Sequence, residues 1–233
     1  MELTDYLRMQ KSWYEDDASK WTIDNRDPVV GSYDGHNNFQ DYETHLFKDF
    51  DTTNLTAIEY GCGPGRNLVR FSQRFARVDG VDIAETNLDK ARENLSHNNI
   101  TGSNLYLCDG KSLPVEDASY DVVFSVICLQ HICSYDIRFS IMQDIKRVLK
   151  PGGYFCFQMG YNGKRKDTPS SEYYDNMFDT NTTNGGYDVS IYNEDGLRDD
   201  LINKLQFTNY KSDIRDTGPG DSHGNWIWVQ VQK

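Results

Sequence analysis

The segment at residues 58–67, which reads IEYGCGPGRN, constrains the fold of this chain more than any other part of it. An apolar strand leads into three glycines at alternate positions, and a helix is predicted to begin at about Arg66. Glycine allows a sharp turn and lets a ligand lie directly against the main chain. The first turn of a helix adds backbone N–H groups that have no partner within the helix. The segment therefore predicts the nucleotide-binding turn of an α/β domain.

Strand and helix patterns alternate along the middle of the chain. Strands are predicted over 55–60, 77–83, 104–108, 121–126 and 154–159, with helices over 67–75, 86–98 and 135–149, the last ended by the Pro-Gly-Gly at 151–153. This alternation indicates a parallel sheet with right-handed crossovers and a ligand at the carboxyl ends of the strands. A helix over 195–204 and strands over 207–214 and 225–231 complete the chain. The link between these last two strands is too short for a crossover helix, so the final strand is predicted to be antiparallel.

The chain of 233 residues is predicted to form a single domain with four parts. These are an N-terminal cap of two or three short helices over 1–54 (the last over 39–50), a cofactor-binding core over 55–159, an insertion over 160–193, and a C-terminal helix and hairpin over 194–233. A loop as long as the insertion is usually functional, so we expect it to cap the substrate. Its aromatic residues either line a pocket or attach the loop to the body: Tyr161, Tyr173, Tyr174, Phe178, Tyr187 and Tyr192.

Composition excludes several classes of partner. The formal net charge of −12 would repel nucleic acid and anionic membranes. No run of about 18 apolar residues is present, and the N-terminus does not resemble a secretory signal. The five cysteines lie mostly in apolar, strand-like contexts, which is typical of reduced thiols in a cytoplasmic protein, and their spacing does not suggest a metal site. We expect a cytoplasmic protein without nucleic-acid, membrane or metal partners, and the oligomeric state stays open.

Two carboxylates follow predicted strands at the edge where the ligand is expected. Asp82 ends the second strand, 21 residues after Gly61, where a carboxylate can accept hydrogen bonds from both ribose hydroxyls of an adenosine. Asp109 follows the third strand and can accept from an adenine amino group. Both have a simpler interpretation as turn residues, and the Asp-Gly pair at 109–110 is common in turns.

Five motifs in a fixed order carry a resemblance to a known family. They are EYGCGPG at 59–65, GVDI at 80–83, CDG at 108–110, DVVFS at 121–125 and RVLKPGG at 147–153. The chain resembles the class I S-adenosylmethionine-dependent methyltransferases, well over 55–160 and less specifically to its end. The resemblance implies a Rossmann-like, doubly wound α/β sheet of seven strands in the order 3-2-1-4-5-7-6, with strand seven antiparallel. A dehydrogenase is disfavoured because Arg66 stands where G-x-G-x-x-G has its last glycine.

The resemblance also implies which residues bind S-adenosylmethionine and its product S-adenosylhomocysteine. Gly61, Gly63 and Gly65 match the turn against which the methionine part lies, and Cys62 and Asn67 are expected to bind the cofactor at the same turn. Asp82 matches the ribose acceptor and Ile83 the adenine face, Asp109 and Gly110 match the adenine edge, and Ser125 or Val126 matches a backbone contact to the amino-acid end. Gln130 is expected to hold cofactor or acceptor. Trp21 resembles an aromatic residue that an N-terminal helix lays over the cofactor, although tyrosine is more usual there, and a core anchor is an equal alternative.

The expected chemistry is an in-line displacement on the sulfonium methyl group, which needs a positioned, unprotonated nucleophile and the exclusion of water. His131 follows the fourth strand and is the candidate general base, whereas the alternative is that it caps the next helix or packs under the sheet. The predicted acceptor is N, O or C of a small molecule. A protein or peptide acceptor and a non-catalytic cofactor-binding protein are the alternatives.

Overall fold

The computed structural model describes residues 3–22, 41–161, 189–216 and 224–233. Its helices are α1 (Leu3–Ser19), α2 (Asp41–Leu46), α3 (Arg66–Phe71), α4 (Glu85–His97), α5 (Tyr135–Val148) and α6 (Glu194–Arg198). Its strands are β1 (Thr56–Tyr60), β2 (Arg77–Asp82), β3 (Leu105–Leu107), β4 (Tyr120–Ser125), β5 (Leu149–Tyr161), β6 (Ser190–Ile191), β7 (Thr208–Asp216) and β8 (Asn225–Gln232). A 3-10 turn spans Leu129–His131, and α6 continues into a π-helical segment over Asp199–Lys204.

All eight of these strands belong to one sheet, in the order β3-β2-β1-β4-β5-β8-β7 with β6 paired beside β5. The pairs from β3 to β5 are parallel, whereas β8 runs antiparallel to both β5 and β7. The predicted order 3-2-1-4-5-7-6 is confirmed, because the short strand β6 only shifts the numbers of the last two strands. The antiparallel final strand is confirmed as well.

Successive residues of the central strands supply two hydrophobic cores, one on each face of the sheet. On one face Ile58 and Val123 pack in the cluster that holds Ile141 of α5. On the other face Ala57 and Phe124 pack in the cluster that holds α2 and α3. Because side chains alternate along a strand, a strand covered on both faces reads as a continuous apolar run. That explains why β4 could be recognised from its sequence alone.

The junction of α5 and β5 differs from the prediction. The helix ends at Val148, and β5 begins at Leu149 rather than at residue 154. Pro151 disfavours a helical conformation for the residue before it, so the chain becomes extended early. The C-terminal residue Lys233 then pairs with this extended segment, accepting from Gly152 N at 2.9 Å and donating from its own N to Gly153 O at 2.9 Å.

The described part of the N-terminal cap contains two helices, α1 and α2, where two or three short helices were predicted over the whole cap. Helix α1 is longer than predicted, with 17 residues. The helix predicted over 39–50 corresponds to α2, which ends at Leu46, and residues 39–40 lie outside the described part of the chain. Of the aromatic residues predicted in the insertion, Tyr161 and Tyr192 are buried, whereas those at 173, 174, 178 and 187 also lie outside it.

Phe47, which follows α2, is fully buried and packs edge-to-face against four other phenylalanines, one of them the nearby Phe50 at 6.3 Å. Its ring centroid lies 5.2 Å from Phe71, 5.1 Å from Phe75 and 5.5 Å from Phe124. These contacts join the N-terminal cap to the sheet through its α3 face. The segment around α2 is therefore part of the hydrophobic core.

We expect Phe47→Ala to lower the free energy of unfolding by about 3–5 kcal/mol, because it removes a buried ring and leaves a cavity. Urea unfolding followed by circular dichroism measures the change. Leu107→Ala is the control: this side chain is 41% exposed, and its loss should change stability by less than about 0.5 kcal/mol. Equal effects of the two substitutions would show that Phe47 does not contribute to the core.

Candidate active site

Three left-handed glycines form the turn that leaves β1. Their φ angles are +73° at Gly61, +51° at Gly63 and +80° at Gly65, a region that other residues rarely adopt. The turn is anchored to β2, because Gly61 N and Cys62 N both donate to the Val81 carbonyl, at 2.8 and 3.1 Å. Gly65 then precedes the first residue of α3. The predicted strand, glycine turn and helix thus stand at the carboxyl end of the sheet.

The surroundings of the three glycines differ. A Cβ atom on Gly61 would overlap Cys128 Sγ, and one on Gly65 would lie 3.0 Å from Ala91 Cβ. A Cβ atom on Gly63, by contrast, would meet nothing within 4 Å. Protein atoms therefore close the turn at its first and third glycines, and the middle glycine is left open. A ligand that lies on this turn has room at Gly63.

Asp82 lies at the end of β2 and fastens the turn. Its Oδ2 accepts from Gly63 N at 2.9 Å, and its Oδ1 accepts from Ala84 N at 2.9 Å and from Asn87 Nδ2 at 3.2 Å. Burial raises the pKa of Asp82, and these hydrogen bonds oppose the rise. A carboxylate has about four acceptor positions, so about one is left for a ribose hydroxyl. Binding of ribose stays a prediction.

The expected adenine region has an apolar wall and a polar turn. A Cβ atom on Gly110 would lie 2.8 Å from Ile83 Cδ1 and 2.9 Å from Leu7 Cδ2, so α1 reaches this region. Asp109 Oδ1 accepts from the backbone N–H groups of Lys111 and Ser112, both at 2.8 Å. Burial raises the pKa of Asp109, but these hydrogen bonds outweigh that effect and lower the pKa below its ordinary value. Asp109 is thus a turn residue, and its contact with adenine stays a prediction.

The chain leaves β4 through a tight turn beside the glycines. Ser125 Oγ donates to the Tyr60 carbonyl at 2.9 Å, which ties the end of β4 to the end of β1. Val126 is buried in the core on the α3 face. Gln130 is also buried; its carbonyl accepts from Val189 N at 2.8 Å, and its Oε1 has no hydrogen-bond partner among the described residues. The structure thus brings Ser125 and the 3-10 turn to the same edge as the glycines.

His131 lies in that 3-10 turn, beneath α1. Its carbonyl accepts from Tyr6 Oη at 3.2 Å and from Gln10 Nε2 at 3.1 Å, and its ring packs edge-to-face with Tyr14 at 6.3 Å. The alternative in which His131 caps the next helix is wrong, because Ser134 is the N-cap of α5. The contacts with α1 fix the position of His131, and its role as a base stays a prediction.

Sequence analysis missed a bridge that α1 makes across the site. Glu15 accepts from Glu85 N at 2.8 Å and from Thr86 N at 2.9 Å, so a distant carboxylate caps α4. Burial raises the pKa of Glu15, but these bonds outweigh it and lower the pKa below its ordinary value. The one signal in the sequence is that Ala84, a poor N-cap residue, precedes α4. With its contacts to His131, α1 spans the carboxyl edge of the sheet.

Trp21 lies two residues beyond the end of α1. Its backbone N donates to the Ala18 carbonyl at 3.3 Å, and its side chain is half-buried. The indole Nε1 is buried and has no hydrogen-bond partner within the described part of the chain. The structure brings Trp21 to the end of the helix that covers the site. A contact with the cofactor and an anchoring role in the core both stay open.

Glu59 is a second buried carboxyl that sequence analysis did not assign to the site. Asn67 Nδ2 donates to its Oε1 at 2.6 Å, which links β1 to α3 under the glycine turn. Glu59 Oε2 and Asn67 Oδ1 have no hydrogen-bond partners among the described residues. Burial raises the pKa of Glu59 to about 8, whereas Asn67 and Arg66 act in the opposite direction. Cys62 is buried in the same turn, and burial also raises the pKa of its thiol.

Comparison with known proteins agrees with this geometry. Residues 58–157 match a family model described as a methyltransferase domain. A solved phosphoethanolamine N-methyltransferase 2 of Haemonchus contortus, in complex with phosphomonomethylethanolamine and S-adenosylhomocysteine, superposes with a TM-score of 0.67 at 20% identity, covering 100% of this chain and 60% of that one. The family match shows a methyltransferase domain over residues 58–157, and together with the sheet order it supports the predicted class I S-adenosylmethionine-dependent methyltransferase.

Two curated relatives are similar over part of their length. A sterol 4-C-methyltransferase of Caenorhabditis elegans is 28% identical over 122 residues, which are 52% of this chain and 36% of the relative. A ribosomal protein L11 methyltransferase of Campylobacter concisus is 25% identical over 169 residues, 71% of this chain and 57% of the relative. The chain therefore spans less than two thirds of either relative. These matches support the family and leave the acceptor open.

The residues present fit S-adenosylmethionine. The open face of Gly63 is a cradle that any side chain would fill, and Gly63 N donates to Asp82. Glu59 Oε2 and Asn67 Oδ1, which have no partner within the described ranges, add acceptor atoms beneath the same turn. Among the described residues, no group of three or more His, Cys, Asp or Glu side chains is placed to hold a metal ion, and no helix is long and apolar enough to cross a bilayer.

We expect Gly63→Ala to weaken binding of S-adenosylhomocysteine by more than about tenfold, because the new methyl group enters the cradle. Isothermal titration calorimetry measures the affinity. Gly102→Ala is a matched control: its φ is +90°, its Cβ would also meet nothing within 4 Å, and it precedes β3 at the opposite edge of the sheet. Both substitutions strain the backbone, so an equal loss of affinity in both would contradict a cradle at Gly63.

Glu59 should make stability depend on pH. Its pKa is raised from 4.5 to about 8, so the folded state binds more protons than the unfolded state between these values, and the free energy of unfolding falls as pH rises. The limiting slope is about 1.4 kcal/mol per pH unit. Urea unfolding in steps of about one pH unit should show this slope removed by Glu59→Gln and retained by Glu116→Gln, which changes an exposed glutamate. Equal slopes in all three proteins would contradict a raised pKa.

Proposed function

We propose that this chain transfers a methyl group from S-adenosylmethionine to a nitrogen, oxygen or carbon atom of a small-molecule acceptor, releasing S-adenosylhomocysteine. One observation carries the proposal. The open glycine Gly63, the carboxylate of Asp82 and the turn that holds His131 meet at one edge of the sheet, and α1 spans that edge. Cofactor-binding groups and a candidate base thus share one site.

The protein needs to position the reactants more than it needs to activate the methyl group. S-adenosylmethionine, when bound, provides a methyl group already activated by its sulfonium sulfur. The protein then has to hold the nucleophile about 3 Å from that methyl carbon and opposite the sulfur. Exclusion of water strengthens the polar interactions in the site and prevents side reactions. Helix α1 is suited to this second task, because Glu15 fixes it at α4 and Tyr6 and Gln10 fix it at the 3-10 turn.

His131 is the proposed general base. Histidine side chains often accept a proton from an amine or hydroxyl as it attacks. Two hydrogen bonds to its carbonyl and the contact with Tyr14 hold the residue between α1 and the end of β4. Gln130, the preceding residue, has a buried Oε1 without a hydrogen-bond partner in the described part of the chain, so we propose that this amide orients the acceptor or the amino-acid end of the cofactor.

The net charge of −12 favours a neutral or cationic acceptor over an anionic one. Relatives named for a sterol and for phosphoethanolamine support a small molecule. A relative named for ribosomal protein L11 supports the alternative that the acceptor is a basic protein or peptide, which an acidic surface would attract. A cofactor-binding protein without activity is the remaining alternative. We propose S-adenosylmethionine-dependent transfer to a small molecule.

We expect His131→Ala to lower kcat by a factor of about 10²–10⁴, because a proton acceptor is lost, and to leave the affinity for S-adenosylhomocysteine nearly unchanged. The assay measures formation of S-adenosylhomocysteine with a panel of amines, alcohols, phenols and basic peptides. His97→Ala, at an exposed position in the last turn of α4, is the control. Unchanged turnover in His131→Ala would exclude the base role, and cofactor binding without product on any acceptor would favour the non-catalytic alternative.

A further inference from the structure

Ile127, two residues after the end of β4, has an unusual backbone conformation. Its φ is +50°, in the left-handed region. Side chains branched at Cβ are genuine outliers there, because Cβ crowds the adjacent main chain. Among the described residues with positive φ, Ile127 is the one non-glycine that is branched at Cβ. Such strain persists only where the surrounding structure enforces it, and it clusters at functional sites.

The hydrogen bond that enforces this conformation comes from β5. Ile127 N donates to Gln158 Oε1 at 2.9 Å, and Gln158 is 2% exposed. The donor is a backbone N–H, so the amide must present its oxygen. In the sheet Ser125 pairs with Phe157, which places Gln158 beside the point where the chain leaves β4. The Gln158 side chain of β5 thus takes the place of the backbone acceptor that Ile127 N would have if β4 continued in the sheet.

The turn at Ile127 determines where the following residues lie. Cys128 comes next, and its Sγ occupies the place where a Cβ on Gly61 would be. The Cys128 carbonyl accepts from His131 N at 2.9 Å, which starts the 3-10 turn that carries Gln130 and His131. The conformation of Ile127 therefore sets both the packing of this turn on the glycines and the position of the candidate base.

We propose that Gln158 is a positioning residue for the cofactor and acceptor site. Its amide holds Ile127 in the left-handed conformation, and so keeps residues 125–131 packed against the glycine turn. Without this acceptor, Ile127 N is left without its partner and the backbone returns to an ordinary φ, which moves Cys128 away from Gly61. This role rests on the proposed function, because it concerns residues that we assign to cofactor and acceptor.

The test is a double-mutant cycle read by binding of S-adenosylhomocysteine. Gln158→Leu should weaken binding by about tenfold, and adding Ile127→Gly should restore most of it, because glycine adopts positive φ without strain and needs no enforcing bond. Gln230→Leu is the matched control: Gln230 is a buried glutamine on β8 whose Oε1 has no hydrogen-bond partner among the described residues. It should bind as the wild type does.

A second measurement follows Cys128 directly. It is the half-buried thiol among the five cysteines, the other four being buried. Gln158→Leu should therefore increase the rate of its alkylation, identified by mass spectrometry, and Ile127→Gly in the same chain should return the rate towards that of the wild type. Gln158→Asn, which withdraws the amide by one methylene group, serves in the same cycle if the leucine variant does not fold.

The possible failures are distinguishable. A wild-type chain that does not bind S-adenosylhomocysteine would refute the cofactor site, and with it the proposed function. Normal binding by the wild type, with no loss in Gln158→Leu or Gln158→Asn, would overturn the positioning role alone. A loss that Ile127→Gly does not restore would also overturn that role, because it would show that Gln158 contributes to general packing rather than to the conformation of Ile127.

Discussion

The hydrogen bond between Gly63 N and Asp82 Oδ2 joins the two parts of the structure on which the site depends. The glycine turn ends β1, and Asp82 ends the neighbouring strand β2, so one 2.9 Å contact sets the turn against the carboxyl edge of the sheet. The remaining bonds of Asp82 fix the start of α4 through Ala84 and Asn87. Because the carboxylate is buried, each of these partners compensates for lost solvation. The geometry of the cradle at Gly63 therefore follows from the hydrogen bonds that the buried Asp82 carboxylate needs.

Most of the fold could be predicted because its signals are local in the sequence. Continuous apolar runs such as 121–126 identify buried parallel strands, and glycine spacing at 61–65 identifies the turn. The short link before β8 excludes a crossover, which settles the direction of that strand. The predicted start of β5 was wrong although Pro151, which disfavours a helical conformation for the residue before it, is a local signal. The pairing of Lys233 with the segment at 152–153 also supports the longer strand, and no local pattern contains that contact.

The finer structure of the site depends on partners that are distant in the sequence. Glu15 caps a helix that begins 70 residues later, and Gln158 holds a turn 31 residues before it. A glutamate or glutamine in the sequence does not indicate such a long-range contact, since either side chain is ordinarily solvated. A sequence signal existed for the first, because Ala84 is a poor N-cap. For the contact of Gln158 with Ile127 no sequence signal existed, because an isoleucine does not predict a left-handed backbone conformation.

The two buried carboxyl groups near the glycine turn have unequal hydrogen bonding, and this inequality bears on the proposed reaction. Asp82 accepts three hydrogen bonds that favour its charged form, whereas Glu59 accepts one, from Asn67, and has its pKa raised to about 8. Each is stabilised in its charged form by a nearby positive group, because opposite charges attract most strongly where water is excluded. S-adenosylmethionine carries a sulfonium charge that S-adenosylhomocysteine lacks. In the proposed reaction, the charged carboxylate of Asp82 therefore favours the methyl donor over the product. Glu59, whose raised pKa leaves it mostly protonated at neutral pH, contributes less to this preference.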